Sequence, residues 1–343
     1  MSKNFYQISL TLLELFDAPQ IIKRISSSLD SIVNNPAIKD TIFSIALIEV
    51  LDIDCKFSLV SEVADNDVIY DSNLRDSEGF RNLFKISECS VISKSSIFCL
   101  SLIRNNFSAS YITNQLQKVA KKFDLYQEKN YEQRTIFKSL LRFAFVERLL
   151  PGKMKKANMR NYYENLKISI RWLTKDPHFW LQYGMANITF KEYDKAQQYF
   201  NQSYSIAYSK KQDYDTRGID AQQARLYILI AIEEKEPFKA YNEFEKANSL
   251  LTKLDDSVYK FRQVEKYKDY YEFCYDTLSR KNQVNFLHAC REMRKAIDDA
   301  ESRGYINAGD QKTICRTKKS LDHVISEITF FSKKHGVKEE ADI

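Results

Sequence analysis

Apolar positions recur along most of this chain at intervals of three and four, the period of a helix with one buried face. Phe5, Ile8, Leu12 and Phe16 share such a face. Pro19 suits the first turn of a second helix, where Ile21, Ile25, Leu29, Ile32 and Val33 continue the stripe. Together these predict an N-terminal helical hairpin over residues 1–35.

The pattern changes over 36–107. Pro36 opens a dense apolar helix from Ile42 to Leu51, and a short helix from Phe57 to Ala64 follows. Three β-branched runs come next, Val68–Tyr70, Leu83–Ile86 and Val91–Ile92, and then a helix near Ser95–Arg104. Helices with a small interposed hairpin predict a winged-helix-like unit.

Helical spacing returns at 108–257. Tyr111, Leu116, Val119 and Phe123 mark one helix; Phe137, Leu140, Leu141, Ala144, Phe145 and Leu149 mark another, ended by Pro151-Gly152. The segment Pro177-His-Phe-Trp-Leu-Gln-Tyr-Gly184 is followed by Ala196, Phe200 and Tyr204. A small residue on one helix facing a small residue and an aromatic on the next is the tetratricopeptide arrangement. Helices approach closely only at Gly184 and Ala196, and rings such as Trp180 and Phe200 fill the flanking volume. Ala240, Phe244 and Ala247 repeat the second-helix spacing, with Ala221–Glu233 as partner. The unit departs from the ideal pattern: Ser203 stands for an Ala, Asn187 for a Tyr, and Lys210–Gly218 adds a longer loop.

Three more helices are expected over 258–336, as a cap on the repeat array, with 337–343 as a tail. Thr317, Leu321, Val324, Ile328 and Phe331 alternate by four and three. That seam suits either the cap or a contact between copies, and the oligomeric state stays open. The predicted fold is an all-α, tetratricopeptide-like helical-repeat solenoid with a small winged-helix-like N-terminal unit.

Composition narrows the chemistry. Seven Gly and five Pro in 343 residues are too few for a sandwich or a Gly-rich nucleotide fold, and 22 Phe with 21 Tyr are too many for disorder. No P-loop, GxGxxG or HExxH occurs, and His178, His288, His323 and His335 lack ligand spacing. The six Cys, at 55, 89, 99, 274, 290 and 315, form no CxxC pair and suit reduced thiols of a cytoplasmic protein. No catalytic, cofactor or metal site is predicted, and no membrane span.

Two surfaces are candidates for binding. Placed on the repeat, His178, Leu181, Met185, Gln222 and Arg225 fall where helix A lines a peptide groove. The net charge is +6, and residues 153–175, with seven Lys or Arg against one Glu, carry an equal excess. Lys153, Lys155, Lys156 and Arg160 form the patch that would meet phosphates if the chain bound nucleic acid, the alternative to a protein partner.

The order of motifs resembles something specific. Asp67-Val-Ile-Tyr-Asp71, Ser93-Lys-Ser-Ser-Ile97, Tyr162-Tyr-Glu164, Pro177-His-Phe-Trp-Leu-Gln-Tyr183, and Tyr214-Asp-Thr216 with Ile219-Asp220 carry the likeness. Together they resemble the C-terminal half of bacterial STAND-type P-loop NTPases of the antiphage-defence kind, where a winged helix and a tetratricopeptide-like array follow the ATPase. The resemblance implies a sensing or inhibitory role. The ATPase is absent here, so no nucleotide-binding residue carries over. It implies a stand-alone sensor or scaffold, a subunit partnering an ATPase or effector encoded nearby, or a remnant of a longer gene.

Overall fold

The computed structural model describes residues 11, 14–124, 130–152, 154–210 and 214–334, with the side chains of 331–334 left out. The predicted helix through Phe5, Ile8 and Leu12, and the tail 337–343, lie outside the described residues. The fold is an all-α helical repeat, and the one sheet among the described residues has two short strands. Two compact units divide the chain between Thr174 and Lys175.

The first unit begins with α1 (Pro19–Asp30) and α2 (Pro36–Val50). Asn35 caps α2 by accepting the Ile38 N–H at 2.9 Å, and Pro36 fills its first position. Residues 41–48 of α2 are all buried, so this helix is surrounded by core and shows no polar face there. α3 (Phe57–Ala64) packs on α2, and α4 (Ser72–Asp76) and α5 (Glu78–Leu83) follow. Then come β1 (Phe84–Ser87) and β2 (Ser90–Ser93), paired antiparallel with Phe84 opposite Ser93. The hairpin is also bonded to the chain around the start of α3: Val91 N–H on β2 donates to Cys55 O at 2.9 Å, and Phe57 N–H to Cys89 O in the hairpin turn at 2.8 Å. α6 (Ser96–Asn106), capped by Ser95, packs against α2.

The first of the three β-branched runs is not a strand. Val68–Tyr70 forms a 3-10 turn, because Asn66 Oδ1 accepts the Val68 N–H at 3.1 Å and curls the backbone. α4 and α5 were not anticipated. Each is short and held by its own cap, Asp71 on the Asn73 N–H and Ser77 on the Phe80 N–H.

α7 (Ala109–Lys122) packs along α10 (Lys155–Ser169). Between them in sequence, α8 (Tyr131–Leu141) and α9 (Phe143–Leu149) replace the single helix expected through Phe137 and Leu149. Arg142 breaks it, with ψ 118°. The break frees carbonyls at the end of α8, and buried donors satisfy two of them. Tyr162 O–H donates to Leu140 O at 2.9 Å, and Tyr163 O–H to Leu141 O at 3.0 Å.

The second unit opens with a hairpin of α11 (Pro177–Thr189) and α12 (Tyr193–Ser209), then another of α13 (Arg217–Glu233) and α14 (Pro237–Lys253). Gly184 meets the fully buried Phe200 ring: a Cβ added there would stand 2.6 Å from Phe200 Cδ1 and nearer still to Cε1. Trp180 lies against Tyr199, ring centroids 5.5 Å apart. Ser203, in place of the usual Ala, donates its buried hydroxyl to Pro177 O at 2.7 Å. In the second hairpin Phe244 stacks on Tyr270 at 4.6 Å and meets Tyr267 and Phe286 edge-on.

Those rings come from the closing helices, α15 (Val258–Val264), α16 (Tyr267–Cys274) and α17 (Arg280–Ser302), followed by α18 (Gln311–Lys334). Among the described residues there are four where three were expected. Thr317, Leu321, Val324 and Ile328 are buried inside this unit, so that part of the seam is spent on the chain's own core. The Phe331 side chain lies outside the described residues.

Candidate functional site

The five predicted groove residues sit on α11 and α13, and they divide by burial. Leu181 is only 7% exposed and belongs to a core cluster with Ile188, Phe200 and Leu226. It cannot face a ligand in this arrangement: a Cβ on Gly218 would touch Leu181 Cδ2 at 3.6 Å. His178 and Met185 are half-buried, and Met185 packs against the same cluster with Tyr193 and Leu229.

Gln222 and Arg225 are one turn apart on α13, hence on one face. Arg225 is half-buried, and burial pulls its pKa below the usual guanidinium value. It has no ion pair or hydrogen bond among the described residues. The carboxylates on its own helix are engaged elsewhere. Asp220 accepts from Tyr204 O–H at 2.6 Å and Thr216 at 2.9 Å. Glu233 accepts from Lys191 at 2.8 Å and Tyr193 O–H at 3.1 Å. Gln222 Oε1 is buried without a hydrogen-bond partner. The adjacent Gln223 differs: it exchanges two amide hydrogen bonds with Gln197 on α12, at 3.1 and 2.7 Å. Among the described residues, α13 therefore carries one cation without an ion pair and, one turn away, one buried amide oxygen without a donor.

The basic patch is partly neutralised. Lys155 pairs with Glu147 at 3.4 Å, Lys156 and Arg160 are exposed, and Lys153 lies outside the described residues. On the neighbouring α7, Lys122 is held by Asp65 at 2.5 Å, and Lys118 helps lower the Asp65 pKa.

A feature unseen in the sequence lies beside the β-hairpin. An open cleft of about 450 Å³ is lined by Glu49, Asp52, Asp54 and Glu88. Burial, with Asp52 and Asp54 nearby, raises the Glu49 pKa, although Ser93 O–H bonds it at 2.5 Å. No group of three metal-ligating side chains occurs among the described residues. Four thiols, Cys55, Cys99, Cys274 and Cys290, are buried; burial pushes Cys99 up to about 12 and Cys274 to about 11. Such thiols stay protonated at neutral pH and are poor nucleophiles.

No helix among the described residues is long and apolar enough to cross a membrane. Comparison with known protein families, curated proteins and solved structures finds nothing that matches this chain.

Proposed function

We propose that this chain is a non-catalytic interaction module, a sensor or scaffold that binds a protein segment on the helix A face of its hairpin repeat. The observation that carries this is Arg225, half-desolvated and without a counter-ion among the described residues, beside the unsatisfied Gln222 Oε1. Tyr193 lies near that cation, and Met185 and Leu229 pack with Tyr193 against the same apolar cluster. A cation in such surroundings interacts more strongly with an arriving carboxylate than one fully in water. The bound segment is therefore acidic, with apolar residues beside the acid.

The likeness to STAND-type sensors supports placing the chain in a bacterial defence system, acting on an ATPase or effector. The order of elements from α2 to β2, with β2 bonded to the Cys55 segment, supports a winged-helix-like reading of that region. Its local charge argues for a structural role there. Asp71, Asp76 and Glu78 outnumber Arg75 and Arg81 on α4, α5 and their caps, and the acidic cleft adjoins the hairpin. Both would repel a phosphate backbone.

The test is fluorescence anisotropy with acidic-apolar peptides and their amidated counterparts. Arg225→Gln should weaken binding of the acidic peptides about tenfold, or about 1.4 kcal/mol, and leave the amidated ones unaffected. Equal binding by wild type and Arg225→Gln would remove the groove from consideration. Retention on heparin at physiological salt, lost on reversing Lys155, Lys156 and Arg160, would favour nucleic acid instead.

A further inference from the structure

A second cavity, in the first unit, is independent of the groove on α13. It is small, about 190 Å³, and lies where α1, the end of α5 and the start of α6 converge. Phe16, Ile25, Leu83 and Phe98 supply apolar walls. Phe16 meets Phe98 edge-on with centroids 5.6 Å apart. Gly79 lets the helices come this close: a Cβ there would stand 2.6 Å from Ile32 Cγ2 and 2.7 Å from the Ser28 carbonyl oxygen.

The polar lining is one-sided. Arg24 and Ser28, four apart on α1, line the cavity with Asn82 and Lys94. Lys94 Nζ sits 5.3 Å from the centre of the Phe98 ring, which holds the cation over the cavity wall. No carboxylate lines the cavity among the described residues. Among the described residues, neither cation has an ion pair, and the Ser28 hydroxyl and Asn82 amide have no hydrogen-bond partner. These four polar groups sit around an apolar hollow, with Arg24, Asn82 and Lys94 exposed at its rim. An apolar hollow with a few convergent polar groups is the usual form of a small-molecule site.

Size and charge define the ligand class. A dry apolar cavity of about 150 Å³ accepts a benzene ring. This one is slightly larger, and two cations stand at its edge. We propose that the cavity binds a single-ring organic anion, with the ring against the wall formed by Phe16, Phe98 and Ile25 and its carboxylate or phosphate at Arg24 and Lys94. Ser28 and Asn82 donate further hydrogen bonds to the anion. For a chain proposed above to sense or scaffold, this would be a small-molecule input separate from the protein groove.

The experiment is isothermal titration of the full chain with phenyl phosphate, benzoate, benzyl alcohol and inorganic phosphate. Phenyl phosphate or benzoate should bind, whichever binds more tightly naming the anion, and benzyl alcohol and inorganic phosphate should bind at least about tenfold more weakly. The Arg24→Gln/Lys94→Gln variant alters only exposed side chains, so it should fold and lose at least about tenfold in affinity. Ser28→Leu should block the ring without changing the charge. Three results would each overturn the proposal: no binding of either ring anion up to about 10 mM, unchanged binding in the double variant, or inorganic phosphate binding as tightly as phenyl phosphate. Because no groove residue is altered, failure here leaves the Arg225 test untouched, and the reverse also holds.

Discussion

Replacing Gly184 with Ala sets two effects against each other. In a helix interior, Ala is favoured over Gly by about 0.8–1 kcal/mol. An unobstructed Gly184 would therefore gain stability. The structure puts the new methyl 2.6 Å from Phe200 Cδ1 and closer to Cε1, and the ring has no exposed surface through which to swing away. Either the ring leaves its rotamer or α11 and α12 separate. Overpacking of this kind costs about 1–3 kcal/mol. The net expectation is a loss of about 0–2 kcal/mol, and a larger one for Leu. At about 2–4 °C per kcal/mol for a unit of this size, far-UV circular dichroism melts resolve all but the smallest loss. A double-mutant cycle removes the ambiguity. With Phe200 shortened to Leu, the Gly184→Ala change should become neutral or stabilising, giving a coupling of about 1 kcal/mol or more. A stabilising Gly184→Ala in the wild-type background, with no coupling, would refute the tight approach of α11 and α12.

Three further outcomes are expected. Tyr162→Phe keeps the ring but leaves Leu140 O buried without its donor, and should cost about 1–3 kcal/mol in a denaturant titration; a change below about 0.5 kcal/mol would contradict the hydrogen bond. Glu49 has its folded pKa raised above 4.5, so the folded state holds the proton more tightly than the unfolded chain, and stability falls as pH rises through that window. Glu49→Gln should therefore raise the melting temperature at pH 7 and change it little at pH 4; the reverse ordering would mean the carboxylate is not desolvated. Under native conditions a thiol reagent followed by mass spectrometry should label exposed Cys89 and Cys315 and spare Cys55, Cys99, Cys274 and Cys290. Fast labelling of Cys290 would show that the C-terminal core opens.

The repeat was legible because its determinants are close in sequence. Gly184, Ala196 and Phe200 carry the close approach within seventeen residues, and Pro36 and Pro177 announce helix starts by their own geometry. The break at Arg142 was not legible, since neither Gly nor Pro marks it and its support comes from tyrosines twenty residues later. Val68–Tyr70 looked like a strand by β-branching, but the side chain of Asn66 outweighed that preference. Helical register put Leu181 toward the groove; the next hairpin covers it instead. The Arg24–Lys94 cavity gives no sequence signal at all, because its groups meet only after three helices pack.

Ser203 departs from the repeat pattern, and the departure has a mechanical consequence. Its hydroxyl grips the carbonyl of Pro177 at the very start of the facing helix. Sliding one helix past the other by a single turn, about 5.4 Å, would break that bond and leave the fully buried Ser203 hydroxyl without its acceptor. The stitch therefore keys the pair to one alignment. A visitor landing on this hairpin meets a stiff anvil rather than a hinge, and it must supply whatever shape change the encounter requires.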